Sequence, residues 1–219
     1  MYREVGEKKP AKPIKPHSER AIVNDNGNRN GYTINFALMN TKAYHDRFEN
    51  LTKHKAVNEV LYKQAAKILG RRSGTEYEEL IIIDARTGVL LAHNTDAVGK
   101  RAFQCGLSQA QADILAESKK IFEALHNHPN NSYPSTDDII VLFARRLQAG
   151  STIVCHDGTI YRLEKLKAFD TIKDLTGFVR RAIAEKFSGY PAHLLETRAA
   201  QTLIGKLQSL GVLKFKEVK

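Results

Sequence analysis

Cysteine, long apolar runs and a secretion signal are scarce or absent in this sequence. Its 219 residues include two cysteines, Cys105 and Cys155, too few for a disulfide framework, and their spacing fits no zinc-knuckle pattern. No apolar stretch approaches the roughly 20 residues that cross a bilayer. The start of the chain, residues 1–15, is charged and proline-bearing without an apolar segment. We therefore predict no signal peptide and expect a cytoplasmic protein without membrane contacts.

Acidic residues are outnumbered by basic ones. The chain has 24 Asp and Glu against 34 Lys and Arg, and its formal net charge is +10. Such a field favours polyanions or an acidic partner, so nucleic acid is a candidate partner. The basic residues are spread along the sequence, however, which equally suits a solvated basic surface. Hydrophobic residues make up 42% of the chain, enough for a core in one or two domains.

Turn formers and apolar periodicity divide the chain into three regions. Residues 1–32 are rich in basic residues and proline and predict a flexible arm. Residues 33–165 predict an α/β domain, a mixed sheet flanked by helices. Residues 166–219 predict a helical C-terminal extension that could pack on the domain, cover its cleft or mediate association. The predicted helices are 50–69, 108–120, 135–149, 169–186 and 193–210, and the predicted strands are 80–83, 89–92, 121–125, 152–155 and 159–163.

Two histidines separated by one residue are the strongest chemical signal in the sequence. His126 and His128 follow an apolar-rich run predicted as a strand, and a loop of turn formers then leads to a helix beginning near Ser135. Side chains at positions i and i+2 of a strand share one face, so both imidazoles could face one metal ion. Asp138, in the first turn of the helix, could supply a third ligand. Three protein ligands and one open position are typical of catalytic zinc.

The pair Ser135 and Asp138 also has a purely structural explanation. Ser-x-x-Asp before an apolar run resembles a helix capping box, although that box usually ends in Glu or Gln. Capping does not exclude a role in a site, because the serine could cap the helix and still direct its hydroxyl group at the site. Both interpretations stay open at the level of the sequence.

These motifs carry a family resemblance. His-Asn-His-Pro at residues 126–129 and Pro-Ser-x-x-Asp at residues 134–138 resemble the signature of the JAMM (MPN-plus) zinc metalloproteases, most closely its RadC-like branch. Residues 40–163 also resemble the JAMM-like domain at the end of some phage head-morphogenesis proteins. Six residues separate His128 from Ser135, where the common pattern has seven. The resemblance implies a JAMM/MPN-like sandwich, related to that of the cytidine deaminases.

The resemblance also implies a set of roles. Zn²⁺ would be held by His126, His128 and Asp138, and Ser135 would help to bind the oxyanion. A catalytic glutamate would lie upstream, at the start of a strand, where this sequence has glutamates at positions 76, 78 and 79. Position favours Glu78 as the general base. Glu79 is the rival, because a slip of one residue reverses the face of a strand.

The implied activity is zinc-dependent hydrolysis of amide or isopeptide bonds, by water that zinc activates and a glutamate deprotonates. The substrate would be a protein or peptide, such as a ubiquitin-like conjugate, and the setting a phage or bacterium, hence the cytoplasm of a bacterial host. Two alternatives remain. One is a RadC-like DNA-associated protein, for which the positive charge is suited. The other is a non-catalytic phage head-assembly module that retains the fold.

Overall fold

The computed structural model describes residues 32–94 and 102–219. The predicted arm, residues 1–32, lies outside this part of the chain apart from Tyr32. The elements in chain order are α1 (Phe36–Met39), α2 (Lys42–Asp46), α3 (Lys55–Arg72), β1 (Leu80–Asp84), β2 (Leu90–Asn94), α4 (Gln109–Glu117), β3 (Phe122–His128), α5 (Thr136–Ala144), β4 (Gln148–Cys155), β5 (Ile160–Lys165), α6 (Ile172–Lys186), α7 (Ala192–Ser209) and β6 (Leu213–Val218).

A six-stranded mixed sheet forms the centre of the fold. Its strand order is β2-β1-β3-β4-β5-β6. Strands β3 and β4 are parallel, and the other neighbouring pairs are antiparallel. Helix α5 connects the two parallel strands, which need a crossover rather than a tight turn. The predicted class, a mixed sheet flanked by helices, is confirmed at this level.

Alternation along the strands sends side chains to two helical layers. Leu125 of β3 and Val154 of β4 belong to a core that includes buried residues of α1, α2 and α3. On the other face, Ile153 of β4 and Leu163 of β5 pack in a core with α5, α6 and α7. Ala124 of β3 also lies on this second face, in a smaller core that contains a residue of α4. The face that carries His126 and His128 is therefore the one beneath α5.

The C-terminal extension is helical in α6 and α7, as predicted, but it ends in a strand that was not predicted. β6 pairs with β5 and completes the edge of the sheet. Buried residues of the extension share the core of the sheet, among them Ala200, Leu203 and Leu207. Within residues 32–94 and 102–219, no helix combines the length and apolar content needed to span a bilayer.

Several predicted boundaries were wrong where tertiary structure overrides local signals. Helix α3 continues through Gly70 to Arg72, because one glycine costs a helix only about 1 kcal/mol. Helix α5 ends at Ala144, and Gly150, predicted to stop it, lies inside β4. Strand β3 extends to His128, so both histidines lie within the strand rather than beyond its end.

A buried ion pair joins β3, the strand that carries the two histidines, to β5, which lies two strands away in the sheet. Arg162 of β5 donates two hydrogen bonds to Glu123 of β3, at 2.6 and 2.8 Å. The arginine passes over β4 at Gly150, where a Cβ atom would lie 2.4 Å from the guanidinium group. Glycine is required there because any side chain would displace the arginine. The bidentate pair thus joins β3 and β5 across β4.

Candidate metal centre

The end of β3 brings the two histidines together. His126 and His128 are 5% and 4% exposed, and their Nε2 atoms lie 3.1 Å apart. The i and i+2 spacing in a strand places both rings on the face beneath α5. The sequence prediction that the two imidazoles share one face therefore agrees with the structure.

Asp138 approaches the same point from α5. Its Oδ1 lies 3.2 Å from His126 Nε2, and its Oδ2 lies 3.6 Å from His128 Nε2. Burial acts to raise the pKa of Asp138, but His126, His128 and Ser135 outweigh it and hold that pKa below its usual range. The carboxylate is therefore ionised over the physiological pH range.

Ser135 is the N-cap of α5 and forms a full capping box with Asp138. Its Oγ accepts from Asp138 N (3.1 Å), and Asp138 Oδ2 accepts from Ser135 N (2.7 Å). The Ser135 hydroxyl also donates to Asp138 Oδ2, at 2.8 Å. Its proton is thus directed at Asp138, and binding an oxyanion would require this bond to break.

A hydrogen bond to His128 sets its tautomer. His128 Nδ1 lies 3.0 Å from the carbonyl oxygen of Ser132. Because a carbonyl only accepts, Nδ1 carries the proton in this bond, and in the neutral ring Nε2 is then the lone-pair nitrogen that faces His126 and Asp138. A metal-ligating histidine usually donates its other ring N–H in this way.

The two rival glutamates lie on opposite faces. Leu80 of β1 pairs with His126, so continuing the antiparallel register places Glu78 opposite His128 and on the same face. Glu79 faces the other way and is fully buried. It forms ion pairs with Arg71, with Arg72 (3.1 Å) and with His93 (2.6 Å). Of the two, only Glu78 lines the space beside the histidines.

Glu78 has the environment of a proton acceptor. It is 8% exposed, and burial raises its pKa to about 7, with His128 opposing the shift and Asp138 adding to it. The thiol of Cys105 lies within hydrogen-bonding reach of its carboxylate. The loop carrying Cys105 is held in place by Phe103 N, which donates to the carbonyl oxygen of Glu76 (3.0 Å).

Asn127, between the two histidines, points to the opposite face and holds the backbone around Glu78. Its Oδ1 accepts from Glu79 N (2.9 Å), and its Nδ2 donates to the carbonyl oxygen of Tyr77 (3.2 Å). Nδ2 also donates to His156 Nε2 (3.2 Å), whose Nδ1 donates to the carbonyl oxygen of Tyr32. The residues on both sides of Glu78 are thus fixed by one amide side chain, where the β1–β3 ladder has ended.

An open cleft of about 900 Å³ surrounds these groups. Its walls come from the loop at residues 103–105, from α5 and from the C-terminal helices. The C-terminal helices contribute Arg180, His193, Glu196 and Thr197. The extension therefore covers part of the cleft, one of the roles that the sequence left open.

The donor atoms lie at separations that allow them to bind one metal ion. Two ligands on tetrahedral zinc at about 2.0–2.1 Å lie about 3.3 Å apart. The two Nε2 atoms lie 3.1 Å apart, and Asp138 approaches His126 with Oδ1 (3.2 Å) and His128 with Oδ2 (3.6 Å). Glu78 and the two histidines likewise form a buried group whose ligand atoms lie within 4.8 Å of one another. This buried group could hold a metal ion, and Asp138 and Glu78 are both close enough to be its carboxylate ligand.

Sequence reasoning missed three participants. In the sequence, Cys105 is one of two cysteines with no motif, Asn127 is part of the histidine motif, and Arg145 is one of many scattered basic residues. A signal existed for Asn127, because alternation requires the residue between two inward histidines to face the other side. Cys105 and Arg145 reach the cleft through tertiary packing, which local pattern does not encode.

Comparison of the chain with protein-family models, curated proteins and solved structures gave no match.

Proposed function

We propose that this protein is a zinc-dependent hydrolase of amide or isopeptide bonds, of the JAMM type that its motifs resemble. The observation that carries the proposal is the convergence of two imidazoles and a carboxylate, 3.1 to 3.6 Å apart, beside a second carboxylate of raised pKa. A helix cap alone would not account for the two histidines, and a purely structural metal site would not account for the adjacent cleft.

Each side chain has a distinct task in this proposal. His126, His128 and Asp138 would hold the ion, which when bound supplies a Lewis acid that acidifies water and polarises a carbonyl group. The carboxylate of Glu78 would take a proton from the attacking water and deliver it to the leaving nitrogen. With a pKa near 7 it is suited to both transfers at neutral pH.

The cleft suits a chain-like substrate. It holds charged side chains of both signs. A protein or peptide segment, including the tail of a conjugated protein, could lie along it with the target bond between Glu78 and the histidines. Hydrolysis of such bonds is therefore the activity to screen first.

The test begins with metal content and then turns to turnover. Protein purified without added metal is compared, by elemental analysis, with His128→Ala and with Glu78→Gln. We expect about one zinc per chain in the wild type and in Glu78→Gln, and a loss in His128→Ala. Wild type, but not Glu78→Gln, should then cleave members of a panel of peptide and isopeptide substrates.

Three results would contradict the proposal in different ways. Zinc retained by His128→Ala would refute the ligand assignment. Loss of zinc in Glu78→Gln would make Glu78 the carboxylate ligand instead of Asp138. A wild-type chain that takes up no metal, even when zinc is supplied, would leave a cluster held by hydrogen bonds and favour the assembly-module alternative.

A further inference from the structure

The two arginines that line the cleft differ in their charge partners. Arg180 donates to Asp137 at 2.9 Å, and its Nε lies 3.5 Å from Glu196. Arg145 also lines the cleft, but it forms no ion pair with an acid in residues 32–94 and 102–219. One cation in the cleft is thus neutralised and the other is not.

Arg145 retains its charge in spite of partial burial. Burial lowers its pKa from the ordinary value, yet a guanidinium group does not lose its proton near neutral pH. A cation withdrawn from water without a counter-ion is unfavourable, and a bound anion would offset that cost. The structure therefore presents an unneutralised positive charge to any molecule in the cleft.

Helix geometry sets the spacing, along α5, between the Cα atoms of Asp138 and of Arg145, which is the C-cap of the helix. Asp138, Val141 and Arg145 recur at helical spacing and all line the cleft. Seven residues of helix correspond to about 10 Å between Asp138 and Arg145. An extended peptide covers that distance with about three residues. Arg145 also acts electrostatically on Cys105, which contacts Glu78, so its charge lies on the same side of the cleft as the candidate base.

Polar side chains at the start of β4 also border the cleft. Gln148 and Ser151 are 2% and 3% exposed and both border the cleft. The Oε1 atom of Gln148 is buried and has no hydrogen-bond partner in the part of the chain that the structure describes. A buried acceptor of this kind is completed by a donor from a ligand or a water, and a peptide N–H group would serve.

We propose that Arg145 is a specificity-determining residue that binds a carboxylate of the substrate, within about three residues of the bond to be cleaved. The inference rests on the proposed function, since it gives the substrate class of the same cleft. The planar guanidinium group can bind a carboxylate through two parallel hydrogen bonds. The carboxylate could belong to an Asp or Glu side chain or to a chain terminus.

Peptide binding to zinc-loaded Glu78→Gln protein tests this without turnover. Three probes separate the sources: acetyl-Ala-Ala-Glu-Ala-amide, acetyl-Ala-Ala-Ala-Ala with a free terminus, and acetyl-Ala-Ala-Gln-Ala-amide as the neutral match. Calorimetry gives the Kd, and the NMR signal of the Arg145 Nε–H group reports contact directly. At least one carboxylate peptide should bind more tightly than the neutral one and shift that signal.

Neighbouring arginines provide matched variants. Arg145→Gln should weaken binding of the preferred carboxylate peptide by about tenfold or more and leave the neutral peptide unchanged. Arg145→Lys should recover part of the lost affinity, because lysine keeps the positive charge but cannot form the two parallel hydrogen bonds of a guanidinium group. Arg146→Gln, at an exposed residue outside the cleft, should have no effect.

Two results would overturn the inference: equal affinity of Arg145→Gln and its parent for the carboxylate peptides, or no binding of any of the three probes. Elemental analysis of the same samples separates this failure from failure of the proposed function. Bound zinc without a carboxylate preference would refute the specificity residue alone. If the wild-type chain, measured beside these samples, also takes up no zinc, the proposed function is refuted as well.

Discussion

At the scale of single residues, one step along the chain separates two glutamates with opposite surroundings. Glu79 is surrounded by two guanidinium groups and an imidazole, and its charge anchors the end of α3 to the start of β1. Glu78 lies beside the histidines with a pKa raised to about 7. The first is committed to ion pairs, whereas the second can exchange a proton at neutral pH.

The pKa of Glu78 predicts a pH-dependent stability of the metal-free protein. The folded chain holds this proton more tightly than the unfolded chain, so the free energy of unfolding falls as pH rises from about 4.5 to about 7. Glu78→Gln removes that dependence. Relative to wild type, the variant should gain up to about 3 kcal/mol by neutral pH.

Urea unfolding of chelator-treated protein at several pH values measures this difference. Titration of groups distant from Glu78 affects both proteins alike and cancels in the comparison. Asp138, whose pKa is lowered, contributes stability that is lost only at lower pH. A stability difference that does not change between pH 4.5 and 7 would show that Glu78 is not the desolvated acid that its burial indicates.

At the scale of elements, the site depends on how β1 leaves the sheet beside β3. Backbone pairing between them begins at Leu80 and His126, and beyond this point Asn127 replaces the ladder with side-chain bonds to Tyr77 and Glu79. The motif residue between the histidines therefore positions the candidate base from the opposite face of the sheet.

Asn127→Ala should loosen this junction. Each buried group left without a partner costs about 1–3 kcal/mol, and we expect stability to fall by that order. Hydrogen exchange at the Glu79 amide should accelerate, while the paired amide of Ile82 in β1 stays protected. Zinc content should be unchanged, because the histidines lie on the other face. Unaltered exchange at Glu79 would argue against the positioning role.

The elements could be predicted where local pattern and tertiary environment agree. The hairpin of β1 and β2 has alternation and a turn, and Ser108 caps α4 as predicted. β6 was missed although Leu213 and Phe215 alternate with lysines, because the helical pattern before it dominated. The end of α5 depends on where β4 begins, and the pairing of β4 with β3 and β5 sets that position.

The candidate site was predictable to the extent that it is local. The histidine pair, Asp138 and Ser135 follow from short spacings within one strand–loop–helix unit. The choice of Glu78 over Glu79 needs the register of β1 against β3, which a single sequence leaves ambiguous. The position of Arg145 in the wall of the cleft becomes apparent only from the three-dimensional structure.

At the scale of the whole molecule, the C-terminal extension and the sheet share one core. Strand β6 pairs with β5, and α7 contributes fully buried side chains to the core under the sheet. Arg180 and Glu196 reach the cleft from the same helices. The extension is thus part of the structure that supports the candidate site.

A chain that stops after Lys165 should therefore lose cooperative folding. It would expose the apolar face that includes Ile153 and Leu163. Thermal unfolding followed by circular dichroism should show no sharp transition. Leu207→Ala, a milder change at a fully buried position, should cost about 2–5 kcal/mol and keep the transition. Native-like unfolding of the shortened chain would show that the extension is dispensable.

The capping box of α5 affects which site residues would be kept if a descendant of this protein lost its activity. Oδ2 of Asp138 closes the first turn of the helix, and Oδ1 faces the imidazole of His126. A descendant that lost its chemistry would still be under selection to keep Ser135 and Asp138, because the helix start needs them. The presence of Ser135 and Asp138 in a relative is therefore weak evidence that the relative is active. His126 and His128 take no part in that cap, so the loss of these histidines in a relative would be stronger evidence that its site is inactive.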